Sequence, residues 1–87
     1  MIYRIKKDIL WRMVDDEVVI VSGKNDNSCY LNRTGSEVWQ MVTDGLSFEE
    51  ICRRLAKYYN MKKTEIEKDI KNIIDDLLSS KILEKPD

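Results

Sequence analysis

The segment CYLNRTGSEVWQMVTDGLSFEEI, residues 29–51, holds the signals that decide the fold. Its first residues alternate as a β-strand does, and a helix-start signal follows at Thr34. Asp44-Gly45 is a helix stop, and a second helix start lies at Ser47. Because the periodicity changes within so few residues, the segment predicts a strand that leads directly into two closely spaced helices.

Three capping boxes of the form Ser/Thr-x-x-Glu indicate three helix starts, at Thr34, Ser47 and Thr64. Apolar residues with helical spacing follow each of them, which predicts helices over about 35–43, 48–59 and 65–79. The apolar residues predicted to face the core are Val38, Met41, Val42, Phe48, Ile51, Cys52, Leu55, Ala56, Tyr59, Ile66, Ile70, Ile73, Ile74, Leu77 and Leu78.

The segments before and after this region favour extended structure. Residues 8–14 and 17–22 are rich in β-branched and aromatic residues, and Asp15-Asp16 between them suggests a hairpin. A turn-like segment, 23–27, precedes a third strand over 28–32, in which Cys29 and Leu31 face one side and Tyr30 the other. Residues 81–85 are expected to form a short extended end.

The order of these elements indicates an α+β fold. A three-stranded antiparallel sheet precedes three helices, and the short connection at 60–63 reads as helix-turn-helix. The expected architecture is winged helix-turn-helix-like, with residues 1–87 as a single domain.

Composition narrows the possible functions. The chain has 87 residues, a net charge of -1, no histidine and two cysteines, Cys29 and Cys52, without a CxxC spacing. We therefore expect no metal site, no cofactor and no Cys-His catalytic pair, and we expect both thiols to be buried and reduced. No apolar run is long enough to span a membrane and no signal peptide is evident, so a cytoplasmic protein without membrane association is predicted.

A winged helix suggests DNA binding, but the charge of the third helix argues against it. From Thr64 to Ser79 there are five acidic residues, two lysines and no arginine. Since affinity for DNA depends on neutralising phosphates, such a helix would be repelled from the major groove. The carboxylates mostly alternate with lysines, as on a solvated helix face, which also disfavours an enzyme.

The chain from Tyr30 to Leu83 resembles the PqqD-like family. The residues that carry the resemblance are Tyr30-Leu31-Asn32, Thr34-Gly35, Val38-Trp39, Asp44-Gly45, Ser47–Ile51, Glu67–Ile70, Leu77-Leu78 and Lys81-Ile82-Leu83. The family match at Trp39 indicates a core residue. One departure is Lys81, because the family often has glycine at that position.

The resemblance implies a non-catalytic protein that binds the leader of a ribosomally made precursor peptide. It would present the peptide to a maturation enzyme, such as a radical SAM enzyme, a leader protease or a cyclase. The leader would add as a strand to the third strand, in the groove between that strand and the third helix. The expected peptide-binding residues are Ser28, Cys29, Tyr30, Leu31, Asn32, Ile66, Asp69, Ile70, Ile73, Asp76 and Leu77.

Three readings are open on the sequence. A peptide-binding chaperone that acts as a monomer or weak homodimer and binds no nucleic acid is the leading one. A winged-helix transcriptional regulator is the alternative. The third is a structural subunit that pairs through its edge strand, since an exposed edge favours strand pairing with a second copy or another protein.

Overall fold

The computed structural model describes residues 2–22 and 28–85. The predicted turn at 23–27 and the end at Pro86 lie outside the described residues. The elements in chain order are β1 (Arg4–Ile5), β2 (Ile9–Val14), β3 (Glu17–Ser22), β4 (Ser28–Tyr30), α1 (Arg33–Thr43), α2 (Phe48–Tyr59), α3 (Lys63–Ser79) and β5 (Leu83–Glu84). The predicted α+β order, with a three-stranded antiparallel sheet followed by three helices, is confirmed.

The main sheet has the order β2-β3-β4, and both pairings are antiparallel. The predicted hairpin is confirmed, with Val14 opposite Glu17 and a two-residue connection at Asp15 and Asp16. Both connecting residues have positive φ, 51° and 67°. Such a turn matches the right-handed twist of the strands that it joins.

The first helix begins earlier than the predicted cap at Thr34. Asn32 is the N-cap, and its side-chain oxygen accepts a hydrogen bond from the Gly35 amide at 2.8 Å. Asn32 follows the strand directly and keeps an extended backbone, so the helix starts at Arg33. The prediction of a cap at Thr34 is therefore wrong, and the third strand ends at Tyr30 instead of Asn32.

The second helix has the predicted bounds and the predicted cap. The Ser47 hydroxyl accepts from the Glu50 amide at 3.2 Å. The third helix differs, because it begins at Lys63 after Lys62, whose side chain makes no capping hydrogen bond. The carbonyl of Lys62 already accepts from the amides of Glu65 and Ile66, so the first turn forms before Thr64 and the predicted cap there is wrong.

The three helices of the described chain end with the same pair of backbone hydrogen bonds. Each has one residue with positive φ just after the helix: Gly45 at 82°, Asn60 at 54° and Lys81 at 61°. After α3, for example, the Lys81 amide donates to the Leu78 carbonyl and the Ile82 amide donates to the Leu77 carbonyl. These bonds form a Schellman motif, in which the left-handed position is usually glycine. Lys81 therefore occupies a backbone position that favours glycine.

A second, two-stranded sheet was not predicted from the sequence. In it β1 pairs antiparallel with β5, with Arg4 opposite Glu84 and Ile5 opposite Leu83. The extended end predicted at 81–85 therefore contains a paired strand, whereas β1 is too short to display a two-residue alternation.

One hydrophobic core joins the inner face of the main sheet to the three helices. The helix stripes predicted from the sequence are confirmed, since each of those residues is buried or packs against the core. Trp39 is fully buried, as expected, and its ring meets the half-exposed Trp11 edge-on at 5.9 Å. Cys52 is buried, whereas Cys29 is only half-buried, so the expectation of two buried thiols fails at Cys29.

Candidate functional site

Strand β4 is an edge of the main sheet in the described part of the chain. It pairs with β3 on one side only, and its register places Tyr30 opposite Val19 and Cys29 opposite Ile20. An edge strand presents backbone N–H and C=O groups that can pair with a further strand. The free edge expected from the sequence is therefore present.

The hydrogen bonds between β3 and β4 define which residues of the edge are free to pair. The Leu31 amide donates to the Val18 carbonyl at 3.0 Å, so these two opposed residues are a hydrogen-bonded pair. Hydrogen-bonded and non-hydrogen-bonded pairs alternate along an antiparallel ladder. Cys29 therefore bonds toward β3, and the N–H and C=O of Tyr30 point to the open side.

A serine side chain completes the end of this ladder. The Val18 amide does not donate to Leu31; it donates to the Ser36 hydroxyl at 2.8 Å. The same hydroxyl donates to the Leu31 carbonyl at 3.3 Å. Ser36 is buried in the first turns of α1, so this bridge ties the helix to the point where the chain leaves the strand.

An open cleft of about 270 Å³ lies between β4 and α3. Ile73 and Leu77 supply its apolar helix side, whereas Asp76 and Ser80 add polar groups. The lining residues are Cys29, Tyr30, Leu31, Asn32, Gly35, Ile73, Asp76, Leu77 and Ser80. The cleft therefore combines an unpaired strand edge with an apolar helix face and one carboxylate.

The structure brings together seven of the eleven residues expected at the site: Cys29, Tyr30, Leu31, Asn32, Ile73, Asp76 and Leu77. Ser28 contributes its backbone to β4. Ile66 and Ile70 instead lie in the core, because they fall on the fully buried stripe of α3. Asp69 is exposed one helical turn before Ile73 and does not line the cleft.

Two lining residues were missed. Ser80 follows the helix, where the sequence indicated only a helix end. Gly35 is buried, and a Cβ atom there would lie 3.3 Å from the Asn32 side-chain oxygen and 3.4 Å from the Leu31 Cβ. Glycine thus keeps this wall of the cleft open, and Gly35 was recognised only as part of the family motif.

The structure also decides which shoulder of α3 faces the strand. In the sequence, Asp69 and Asp76 fall on one shoulder of the apolar stripe and Glu67 and Lys71 on the other, and the family resemblance at Asp69 favours the first shoulder. Asp76 lines the cleft beside β4. Lys71 lines a separate cavity of about 210 Å³ with Tyr3 and Phe48, so the aspartate shoulder is the one next to the strand.

The fully buried Cys52 lies in the core, outside the cleft. Within residues 2–22 and 28–85, no group of three or more His, Cys, Asp or Glu side chains is arranged to hold a metal ion. Burial raises the pKa of the Cys52 thiol to about 11, helped by the charge of Glu67. That thiol is therefore protonated at neutral pH and is a poor nucleophile. None of the helices described is long and apolar enough to cross a membrane.

The sequence model of the family described as coenzyme PQQ synthesis protein D (PqqD) matches residues 17–83. The chain belongs to the PqqD family. The match begins with β3 and ends in β5, so it includes both sides of the cleft. No curated protein matches the sequence significantly.

Two solved structures share the fold of this PqqD-family chain. One is TbiB1 in complex with the TbiA(beta) leader peptide, with a TM-score of 0.90 and 24% identity over 97% of this chain and 98% of that chain. The other is a lasso peptide synthetase B1 complexed with the leader peptide, with a TM-score of 0.89 and 23% identity over 95% and 98% of the two chains. The similarity extends over nearly all of each chain, so the complete arrangement of sheet and helices is shared.

Proposed function

We propose that this PqqD-family protein binds the leader region of a ribosomally synthesised precursor peptide and presents it to a maturation enzyme. The observation that carries the proposal is the free edge of β4 beside the cleft with α3. Both similar structures were solved with a leader peptide bound, which supports the same class of ligand.

The leader would add to β4 as a further strand. Backbone pairing with an edge strand supplies affinity with little demand on sequence, and side-chain pockets supply specificity. The pockets here are apolar along Ile73 and Leu77, with Asp76 at the side. Apolar leader side chains that enter the cleft would gain roughly 25 cal/mol for each Å² removed from water, which offsets the cost of ordering the peptide.

Of the residues expected at the site, those that line the cleft would contact the leader directly. Ile66 and Ile70 would support it from the core by holding α3 against the sheet. Asp69, one turn before Ile73, would meet only a leader that extends beyond the cleft.

The protein would act without catalysis of its own, as a single recognition domain over residues 1–87 in the cytoplasm. It would be a monomer or weak homodimer and would bind neither nucleic acid nor membrane. The alternative of a DNA-binding regulator is disfavoured because α3, with the bounds Lys63–Ser79, carries five carboxylates and three lysines.

The proposal is tested by following backbone amide shifts of the labelled protein during titration with a leader peptide. A short reading frame beside the gene, encoding a precursor peptide, would supply the sequence of that leader. We expect saturable shifts at residues 28–32 and along the cleft side of α3. Ile73→Ala should weaken binding, whereas Leu78→Ala should not, because both side chains are half-buried on α3 but Leu78 lines the opposite cavity.

A different outcome would overturn this function. Absence of shifts with the peptide, together with shifts along α2 and α3 on addition of duplex DNA, would favour the regulator. Concentration-dependent shifts at β4 that the peptide does not displace would instead indicate that a second copy of the chain occupies the edge.

A further inference from the structure

Tyr30 belongs to the strand edge that borders the cleft, but strand alternation places its side chain on the opposite face of the sheet from Cys29 and Leu31. Its register partners across the sheet are Val19 and then Arg12, and these three residues form one cross-strand row. The row lies on the outer face of the sheet. Val18 and Ile20, which flank Val19 in β3 and therefore face the other side, are buried in the core. Tyr30 is 76% exposed, so its ring stands at the free end of this row.

The backbone of the same residue is available for pairing at the edge, next to the point where the chain turns into α1. The Leu31 amide is engaged with Val18, and the Asn32 side chain is engaged as the helix cap. By the alternation of the ladder, Tyr30 turns its N–H and C=O outward. A strand added here would therefore be positioned by its hydrogen bonds to Tyr30.

Directly opposed residues in a sheet place their side chains on the same face, and successive residues alternate between faces. A leader residue opposite Tyr30 would lie on the outer face. Its two neighbours in the leader would lie on the inner face, the face of Cys29 and Leu31, beside Ile73 and Leu77.

We infer that a bound leader is read on both faces of the strand that it adds. One leader residue packs against the ring of Tyr30 on the outer face, and the residues immediately before and after it enter the cleft. This inference rests on the proposed function. It assigns a role in leader specificity to the side chain of Tyr30, on the outer face of the sheet.

The chemistry of the row indicates the class of leader residue. A row of Arg12, Val19 and Tyr30 is extended well by an aromatic or β-branched side chain, because the directly opposed residue is Tyr30 and aromatic–aromatic and aromatic–β-branched cross-strand pairs stabilise a sheet. The flanking positions should be apolar, since Ile73 and Leu77 receive them. The leader that fits is therefore an extended segment with an aromatic or β-branched residue between two apolar residues.

The test is an alanine scan of the leader peptide from the neighbouring reading frame, measured against the wild-type protein, Tyr30→Ala and Ile73→Ala. Tyr58→Ala is the matched control, because Tyr58 is a similarly exposed tyrosine, at 66%, on α2. Binding constants from calorimetry give a coupling between each protein variant and each leader position.

We expect one leader position to couple to Tyr30. Alanine at that position should raise the Kd for the wild-type protein about two- to fivefold, and it should raise the Kd for the Tyr30→Ala protein by less. The leader position that couples to Ile73 should lie an odd number of residues from the leader position that couples to Tyr30. Tyr58→Ala should couple to none.

The inference is overturned if both variants couple to the same leader position or to positions an even number apart. It is also overturned if Tyr30→Ala leaves the affinity unchanged. These results would leave the proposed function intact, because the peptide still binds. Failure of every peptide, including the native one, to bind the wild-type protein would overturn both.

Discussion

The backbone amide of Val18 donates to the hydroxyl of Ser36, 18 residues later in the chain, at 2.8 Å. This bond stands in the place where an uninterrupted ladder would have a strand-to-strand hydrogen bond from Val18 to Leu31. Since the hydroxyl also donates a hydrogen bond to the Leu31 carbonyl, one side chain satisfies two backbone groups. The chain can therefore pass directly from β4 into α1 while the backbone groups at the end of the ladder keep hydrogen-bond partners.

Removing this hydroxyl should destabilise the fold. Ser36→Ala leaves the Val18 amide and the Leu31 carbonyl without their partner, so we expect a loss of about 1–3 kcal/mol in the free energy of unfolding. Urea denaturation measures the change, and the Val18 amide should also exchange its hydrogen faster. Ser79→Ala, at an exposed position on α3, is the control and should change stability by less than about 0.5 kcal/mol. Equal effects of the two substitutions would contradict the bridging role.

The two serine and threonine positions at the starts of α2 and α3 should differ in their contribution to stability. Ser47→Ala removes a side-chain cap and should cost about 1 kcal/mol. Thr64→Ala should be nearly neutral, because Thr64 lies inside the first turn of α3 and does not cap it. Thermal unfolding of the two variants checks this contrast. A comparable loss at Thr64 would indicate that α3 begins there after all.

Lys81 offers a stabilising substitution. Its φ of 61° is in the left-handed region, where a side chain is strained and glycine is not. Lys81→Gly should therefore raise the free energy of unfolding by up to about 1 kcal/mol. Gly45 occupies the equivalent position after α1, so replacing this glycine in Gly45→Ala should lower the free energy of unfolding by a similar amount. If Lys81→Gly destabilises the protein, the lysine side chain has a stabilising role that outweighs the backbone strain.

The two thiols should report separately on the cleft and on the core. At pH 8, iodoacetamide should modify the half-buried Cys29 and leave Cys52 unmodified. Cys52 is fully buried and its pKa of about 11 keeps the thiol protonated. Mass spectrometry counts the modified cysteines, and both cysteines should be modified in the urea-unfolded protein. Under the proposed function, saturating leader peptide should slow the reaction of Cys29. Rapid modification of Cys52 in the folded protein would contradict its burial.

Periodicity in the sequence was sufficient to predict the order of the elements and the faces of the helices. The stripes from Phe48 to Tyr59 and from Ile66 to Leu78 are long enough to display a helical repeat, and both are confirmed. Helix starts were predicted less accurately, because the Ser/Thr-x-x-Glu pattern can also lie inside a first turn, as it does at Thr34 and Thr64. Asn32 and Lys62 therefore became the caps in place of Thr34 and Thr64.

Contacts between residues far apart in the sequence could not be predicted from such patterns. The bridge from Val18 to Ser36 needs the packing of α1 on β3, and the pairing of β1 with β5 joins segments too short to show a repeat. At the site, the family motif indicated the two walls of the cleft. It did not distinguish Ile73, which lines the cleft, from Ile70, which is buried three residues earlier. That distinction depends on the rotation of α3 about its axis, which the packed core determines.

The small sheet of β1 and β5 has a consequence for the order of events during synthesis. Arg4 pairs with Glu84, so β1 cannot pair with β5 until roughly 80 further residues have been synthesised. Closing so long a loop is entropically costly, and only two residue pairs between the strands offset that cost. We therefore expect the hairpin of β2 and β3 and the packing of α2 on α3 to form first. The pairing of β1 with β5 would be the last step of folding and the first to open in the native protein.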